Sequence, residues 1–445
     1  METINLLEKY NVAAPRYTSY PTVPYWDHAS FEKEQWFTAI RRSYHDLKDE
    51  GISLYIHLPF CENLCTYCGC NKRITKNHGV EKPYIDAVLK EWEMYVALLG
   101  ERPVIKELHL GGGTPTFFSP ENLHRLIYTI LGEKHQAECS FEGHPDNTTE
   151  EHLRTLYQLG FTRLSLGIQD FDPKVQFMIN RFQTPAQVQH ITSVARTMGY
   201  DSINYDLIYG LPGQTREGLA QTVNEVLTMR PDRIAFYSYA HVPWMKPGQR
   251  HYSEADIPKG ADKFNLYQDG REMLLAAGYH EIGMDHFALE TDTLYKASVS
   301  GNLHRNFMGY THQHTRILLG LGVSSISDSF GAFAQNEKTV EAYQQKINQG
   351  EFAVEKGHIL NEEDLYIRQH ILHLMCGNTT FFEEGLPQAL KDRLQPMISD
   401  GLLTTDGKRI YVQDAGRSFL RNICMAFDER LWRQKPDTVV FSSAI

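Results

Sequence analysis

The sequence predicts a parallel α/β fold, on three observations: short β-rich runs alternate with helical patterns from about residue 50 to 240, the helical stretches stop at glycines, and unusual residues follow each run at the same end. Six runs read as strands: Ile52 to Leu58, Ile105 to Leu110, Ala137 to Glu142, Thr162 to Ile168, Ser202 to Ile208 and Arg233 to Tyr239. Between the first two, Ile85, Val88, Leu89, Trp92, Val96 and Leu99 share one helical face, with Pro83 near the first turn. Leu123, Leu126, Ile127 and Ile130 mark the next helix, and Leu153, Leu156 and Tyr157 one that stops at Gly160. Val188, Ile191, Val194 and Met198 mark another, ending before Gly199. Periodicity alone leaves an open doubly wound sheet and a partial barrel equally possible. Cys61 to Cys68, Gly111 to Thr114, Glu142, Gln169, Asp206 and Ala240 fall at or near the ends of the six successive strands, which favours a ring around one site.

Beyond about residue 340 the alternation stops. Asn361 to Cys376 and Pro387 to Ser399 read as helices, followed by a hairpin turning at Asp406-Gly407 into Ile410-Tyr411-Val412. That order resembles a winged helix, but the second helix lacks the basic face that phosphate contact needs. The domain reading is an N-terminal segment (1–48) covering the active site, a barrel (49–340) and a mainly helical C-terminal domain (341–445).

The chain of 445 residues is long enough for a barrel-sized core plus a smaller unit. Its 55 acidic and 44 basic residues give a net charge of -11, against an extended nucleic-acid or anionic-membrane surface. No apolar run long enough to span a membrane and no signal-peptide h-region is present, so a cytoplasmic location is expected. A reducing compartment suits thiolates reserved for iron.

Cys61, Cys65 and Cys68 stand at C-x3-C-x2-C in one loop after the first strand. Three thiolates can hold three irons of a [4Fe-4S] cube and leave the fourth open to a small molecule. A zinc site competes, since Cys65-x2-Cys68 is a zinc-like pair and Cys70 adds a fourth sulfur; structural zinc, however, draws on two spaced pairs and no second pair follows. Cys139, Cys376 and Cys424 are scattered and read as buried small hydrophobes. Gly111-Gly112-Gly113-Thr114-Pro115 is either an ordinary βα turn or a place where backbone approaches a ligand. Glu142 is either a loop carboxylate or an acceptor for ribose or ammonium groups. Asp206, inside the apolar run Ile203 to Ile208, needs a partner if buried.

The cysteine loop from Tyr55 to Cys70 and the following GGGTP resemble radical S-adenosylmethionine (SAM) enzymes. Cys70, the segment Pro15-Arg16-Tyr17-Thr18-Ser19-Tyr20-Pro21-Thr22 and the stretches around Asp206 and His304 resemble one branch, the oxygen-independent coproporphyrinogen III oxidases, over nearly the whole chain. The resemblance implies an open three-quarter (β/α)6 TIM-like barrel with a smaller winged-helix-like C-terminal domain. It implies a cluster on Cys61, Cys65 and Cys68, with Cys70 outside the ligand set. Tyr55, Gly112, Glu142 and Ile326 would contact the SAM on the fourth iron; Tyr67, Gly113, Thr114, Gln169, Arg181, Asp206 and Ala240 would contact a second SAM. The implied reaction is oxidative decarboxylation of two propionates of coproporphyrinogen III to vinyl groups, giving protoporphyrinogen IX, by a monomer served by an electron donor such as flavodoxin or ferredoxin.

Arg16, His304 and Arg305 are candidate ligands for the substrate carboxylates. Tyr67 stands where relatives often carry Phe, and Met308 where Gln is common. Two other readings compete. A haem chaperone of the same family keeps cluster and SAM without decarboxylating, but its His-Asn-x-x-Tyr-Trp mark is here His304-Arg305-Asn306-Phe307-Met308-Gly309-Tyr310. A zinc-stabilised scaffold with a winged-helix partner surface fits the acidic charge and the ring of polar strand ends poorly.

Overall fold

The computed structural model describes residues 2–27, 29–434 and 441–443. At its centre β1 (Ile52–Leu58), β2 (Ile105–Gly112), β3 (Glu138–Gly143), β4 (Phe161–Gln169), β5 (Ser202–Tyr209) and β6 (Arg233–Ser238) lie side by side in chain order, all parallel. The sheet runs on at both sides. His286–Ala288 and then His280–Ile282 add antiparallel beyond β6, while Leu318–Leu321 joins β1 in parallel and is followed outward by Ile326–Asp328, Ala332–Asn336 and Val354–Ile359. The two outermost strands do not pair with each other, so the barrel is open. The flanking strands escaped the sequence reading because most are three to five residues long, too short for an alternation to register.

Helices α1 (Glu81–Leu99), α2 (Pro120–Leu131), α3 (Glu150–Gln158), α4 (Pro185–Met198) and α5 (Arg216–Met229) connect the strands. On α1, Ile85, Val88 and Trp92 are buried as their spacing predicts, each such side chain contributing about 1.5–3 kcal/mol. Helix α4 shows why its ends fall where they do: Thr184 accepts from the Gln187 N–H, Pro185 opens the first turn, and Gly199 at φ +103 closes the last.

Register decides what fills the barrel. Tyr55 lies beside His109, Glu142 beside Ser165, and Gly167 beside Asp206, so alternate residues of each strand face one side. That side carries Ser53, Tyr55 and His57 on β1, Glu107 and His109 on β2, Ser202, Asn204 and Asp206 on β5: a polar interior. The other side carries Leu54, Ile56, Leu108, Leu110, Ile203 and Leu207, all fully buried in the main apolar core with the helices.

The C-terminal part holds α6 (Glu362–Gly377) and α7 (Gln388–Ser399) with a three-stranded sheet of Thr379–Phe381, Arg409–Val412 and Leu403–Thr405. Its hairpin turns through Asp406 and Gly407, the latter at φ +92, as the sequence predicts. The last strand of the large sheet, Val354–Ile359, lies past residue 340. The N-terminal segment is clamped between the two parts. Arg421 donates to the Pro15 carbonyl at 3.0 Å, Tyr17 donates to Asp428 at 3.0 Å, and Arg16 donates to the Ser238 carbonyl at the end of β6 at 2.8 Å.

Candidate active site

The cysteine loop is stitched to the barrel from both flanks. On one side the GGGTP turn presses against it: the Gly113 and Thr114 N–H groups donate to the Leu58 and Phe60 carbonyls at 2.9 and 3.0 Å. A Cβ on Gly113 would lie 2.5 Å from the Pro59 carbonyl oxygen, and one on Gly112, at φ +118, would lie 2.8 Å from the His57 ring. These glycines therefore let the chain approach its own cysteine loop and barrel wall, a use beyond the ligand contact expected of them. On the other side the Thr66 N–H reaches the Ile179 carbonyl at 2.9 Å and Asn180 reaches the Leu64 carbonyl at 2.7 Å.

Around the sulfurs, Cys61 Sγ lies 3.3 Å from Thr114 Oγ1, Arg181 Nη1 donates to Cys65 Sγ at 3.6 Å, and Lys72 Nζ donates to the Cys68 carbonyl at 3.1 Å. The Cys70 thiol donates to Cys68, and this bond, with Lys72 nearby, lowers the Cys68 pKa while that of Cys70 rises well above the ordinary thiol value. Among the described residues no three His, Cys, Asp or Glu side chains converge as ligands of one ion would.

Two cavities flank this loop. The larger, of about 780 Å³, is lined by Tyr55, His57, Gly112, Glu142, Phe307, Met308 and Ile326 together with Cys65, Cys68 and Cys70. The smaller, of about 310 Å³, is lined by Cys61, Tyr67, Gly113, Thr114, Gln169, Arg181 and Asp206 and shares Cys65, Cys68, Gly112 and Glu142 with the first. Every cluster and SAM residue expected from the sequence lines one or other cavity except Ala240, while the candidate carboxylate ligands Arg16, His304 and Arg305 line neither. The Ala240 carbonyl accepts from Gln249 Nε2 at 3.1 Å; the same nitrogen reaches the Tyr67 carbonyl at 2.8 Å, tying the loop after β6 to the cysteine loop.

The site's charges follow from its setting. Burial pushes Glu142 up, but hydrogen bonds from His109 and the Gly112 N–H outweigh it and hold the carboxyl below its ordinary value. Asp206 is raised to about 6 by burial and then by Glu142, against the donors Ser165 and Asn204 at 3.1 and 2.9 Å, the partners that an acid in an apolar strand requires. His57 Nε2 lies 2.9 Å from the Asn71 carbonyl, which can only accept, so Nδ1 is left to accept from Tyr55 at 3.0 Å; burial lowers its pKa, in keeping with the neutral ring. Gln169 sits at φ +64, a left-handed conformation held at the end of β4 beside a register shift.

Sequence reasoning missed His57, His109, Asn204 and Gln249. His57 and Asn204 stand two residues from Tyr55 and Asp206 on the same strands, so alternation was their signal; His109, defined by its neighbours on the next strand, and Gln249, in an irregular loop, gave none. Of the candidate ligands for the substrate carboxylates, none lines either cavity. Arg305 is 7% exposed and donates to the Arg16 and Tyr17 carbonyls at 3.1 and 2.7 Å, and so acts as a clamp on the N-terminal segment. His304, next to His314, is lowered by burial to about 4 and is a poor cation.

Residues 55–226 match the model of the radical SAM superfamily. Over 99% of its length the chain is 39% identical to the oxygen-independent coproporphyrinogen III oxidase of Escherichia coli, covering 98% of that protein; with the one from Pseudomonas aeruginosa it shares 39% over 96% of this chain and 95% of the relative. The chain belongs to the oxygen-independent coproporphyrinogen III oxidase family. A solved structure in this family, an Escherichia coli coproporphyrinogen III oxidase described as a radical SAM enzyme, superposes with a TM-score of 0.86 at 37% identity, covering 93% of this chain and 97% of that one. Radical SAM membership brings an iron-sulfur cluster and SAM. The donor set fits both: three thiols on one loop, and at the smaller cavity a 7% exposed Arg181 whose Nε has no partner among the described residues, ready for an anionic group. No helix among the described residues is long and apolar enough to cross a membrane.

Proposed function

We propose that the protein decarboxylates two propionate side chains of coproporphyrinogen III to vinyl groups without oxygen, giving protoporphyrinogen IX. The observation that carries this reading is the placement of the Cys61, Cys65 and Cys68 loop between two cavities that share Cys65, Cys68 and Glu142. Those three cysteines, at the C-x3-C-x2-C spacing, would hold a [4Fe-4S] cluster, with Cys70 outside the ligand set. One SAM lies in the larger cavity against Tyr55, Gly112, Glu142 and Ile326; a second lies in the smaller one against Tyr67, Gly113, Thr114, Gln169, Arg181 and Asp206, with Ala240 behind. Bound there, cluster and SAM would supply radical chemistry able to remove a hydrogen atom from the propionate carbon next to the pyrrole, carbon dioxide leaving as a second electron passes to an electron acceptor.

The chain's own residues orient and shield. Glu142, held ionised, accepts from ribose hydroxyls or an ammonium group, and Arg181 pairs with a carboxylate. Gln249 keeps the Tyr67 ring beside the cavity by fixing its backbone. The N-terminal segment, anchored by Arg16, Arg305 and Arg421, braces the open side of the barrel. Electrons come from a small redox protein such as flavodoxin or ferredoxin, and the working unit is a monomer in the cytoplasm.

The test is anaerobic incubation with coproporphyrinogen III, SAM and a reductant. Vinyl product together with 5'-deoxyadenosine is expected; SAM binding without vinyl product would point to the haem-chaperone reading instead.

A further inference from the structure

Arg16, His304 and Arg305 line neither cavity beside the cysteine loop, so the acidic arms of the substrate need other partners, and the rim of the larger cavity supplies them. Lys72, Lys246 and Lys338 all line that cavity, and Glu142 is its sole acidic wall residue among the described ones. None of the three ammonium groups has a carboxylate within 4.0 Å among the described residues, whereas neighbouring Arg73 is paired with Glu341 at 2.9 Å. Lys72 and Lys246 donate to main-chain carbonyls, those of Cys68 at 3.1 Å and Cys70 at 3.5 Å. Burial lowers Lys246, and the charges of Lys72 and Lys338 act in the same direction against the opposing Cys70 and Cys68. In a chain of net charge -11, three lysines gathered at one mouth whose sole wall carboxylate is Glu142 are a local reversal of sign that an anionic ligand would relieve.

The rest of the wall tells which ligand. Leu64, Ile74, Phe307, Met308 and Ile326 give the cavity an apolar side, and about 780 Å³ is within the range of sites for cofactor-sized molecules. An apolar body with several carboxylate arms matches such a surface. An acidic electron-transfer protein would meet cations on an open face, not around a concavity whose inner wall is the cysteine loop.

We propose that Lys72, Lys246 and Lys338 bind the propionate carboxylates of the tetrapyrrole and so set which substrate enters. The assignment rests on the function proposed above. The lysines hold the arms at the rim while the ring lies along Phe307 and Met308, within reach of the SAM site. Met308, where Gln is common in the family, then contributes apolar contact where relatives offer a hydrogen bond.

The test uses anaerobic, cluster-loaded protein and the stable oxidised ligand coproporphyrin III, followed by fluorescence. In the Lys246→Gln/Lys338→Gln double variant the affinity should fall about tenfold or more for the loss of two charge-assisted contacts. Lys246→Arg/Lys338→Arg should restore most of it, and added salt should weaken binding to the wild type more steeply than to the double Gln variant. SAM affinity and iron content should not change. A coproporphyrin affinity within twofold of wild type overturns the assignment. So does a turnover defect that appears with flavodoxin as donor but vanishes with a chemical reductant, which would give the lysines to the electron donor. Because binding is read without turnover, lysine-dependent binding in a wild type that makes no vinyl product would leave this site standing and refute only the proposed reaction.

Discussion

The two ends of the barrel use the same residue types in opposite ways. At the end where the strands begin, charges close on one another: Arg163 bridges Glu107 at 3.3 Å and Glu138 at 3.2 Å, Arg233 donates to Asp292 at 2.7 Å, and Glu107 also accepts from Ser53 and Thr311. At the end where the strands finish, groups are left incomplete. Among the described residues Arg181 has an unpartnered Nε and the rim lysines have no carboxylate within ion-pair distance, while Asp206 is pushed up beside Glu142 and Gln169 is held left-handed. A satisfied network fixes the barrel, and an unsatisfied one is shaped for what binds there.

The largest effect should come from the sulfurs. Cys61→Ser, Cys65→Ser or Cys68→Ser should abolish iron loading and turnover, while Cys70→Ser should assemble its cluster; iron analysis of anaerobic protein checks this. If the Cys70 variant lost its iron, the sharing of roles around the loop would be wrong.

Next, Arg163→Met attacks the closed end. It leaves Glu107 buried without its cation and should lower stability by about 3–5 kcal/mol, while the SAM affinity of the folded fraction stays at the wild-type value. Denaturant melts and SAM titration separate the two. Arg181→Ala should do the reverse, weakening SAM binding about tenfold or more for a lost charge-assisted bond with a smaller change in melting temperature. Were Arg163→Met to cut SAM affinity as deeply as Arg181→Ala, the division between the ends would fail.

Gln169→Gly should move stability little, since relief of left-handed strain of about 1 kcal/mol is offset by the greater freedom of glycine in the unfolded chain. SAM affinity should nevertheless drop, because the side chain that lines the smaller cavity is gone.

The smallest effect is a pH slope. The Asp206 carboxyl is raised from 3.8 to about 6, so its contribution to stability is fully present below pH 3.8 and is lost as pH rises through 6. Asp206→Asn carries no such loss, and in cluster-free protein its stability relative to wild type should climb between those values. Melts at a series of pH values test it, and parallel curves would remove Asp206 from the list of strained groups.

How far the sequence led depended on whether a residue's signal was local. The six central strands, the helices closed by Gly160 and Gly199, the Asp406-Gly407 turn and the cysteine loop are set by spacing within a dozen or so residues, and all were legible. The edge strands from Leu318 to Ile359 were not, because most are too short for alternation to register and the first of them pairs with β1, far back along the chain. The site shows the same divide. Glu142 and Asp206 announced themselves as acids at strand ends, but His109 gains its meaning only from lying across from Ser140 and Glu142. Arg305 looked like a ligand because its charge is visible in sequence, whereas the carbonyls of Arg16 and Tyr17 that take up its donors lie nearly three hundred residues away. Lys246 and Lys338, in separate loops, meet only once the barrel has formed.

The central claim is an iron that the protein leaves unligated at the mouth of the barrel. Electron paramagnetic resonance of anaerobically purified, reduced protein tests it most directly. A [4Fe-4S] signal that changes on adding SAM, in the wild type and in Cys70→Ser alike, is the predicted result; no iron-sulfur signal, or one that SAM leaves unaltered, would contradict the account.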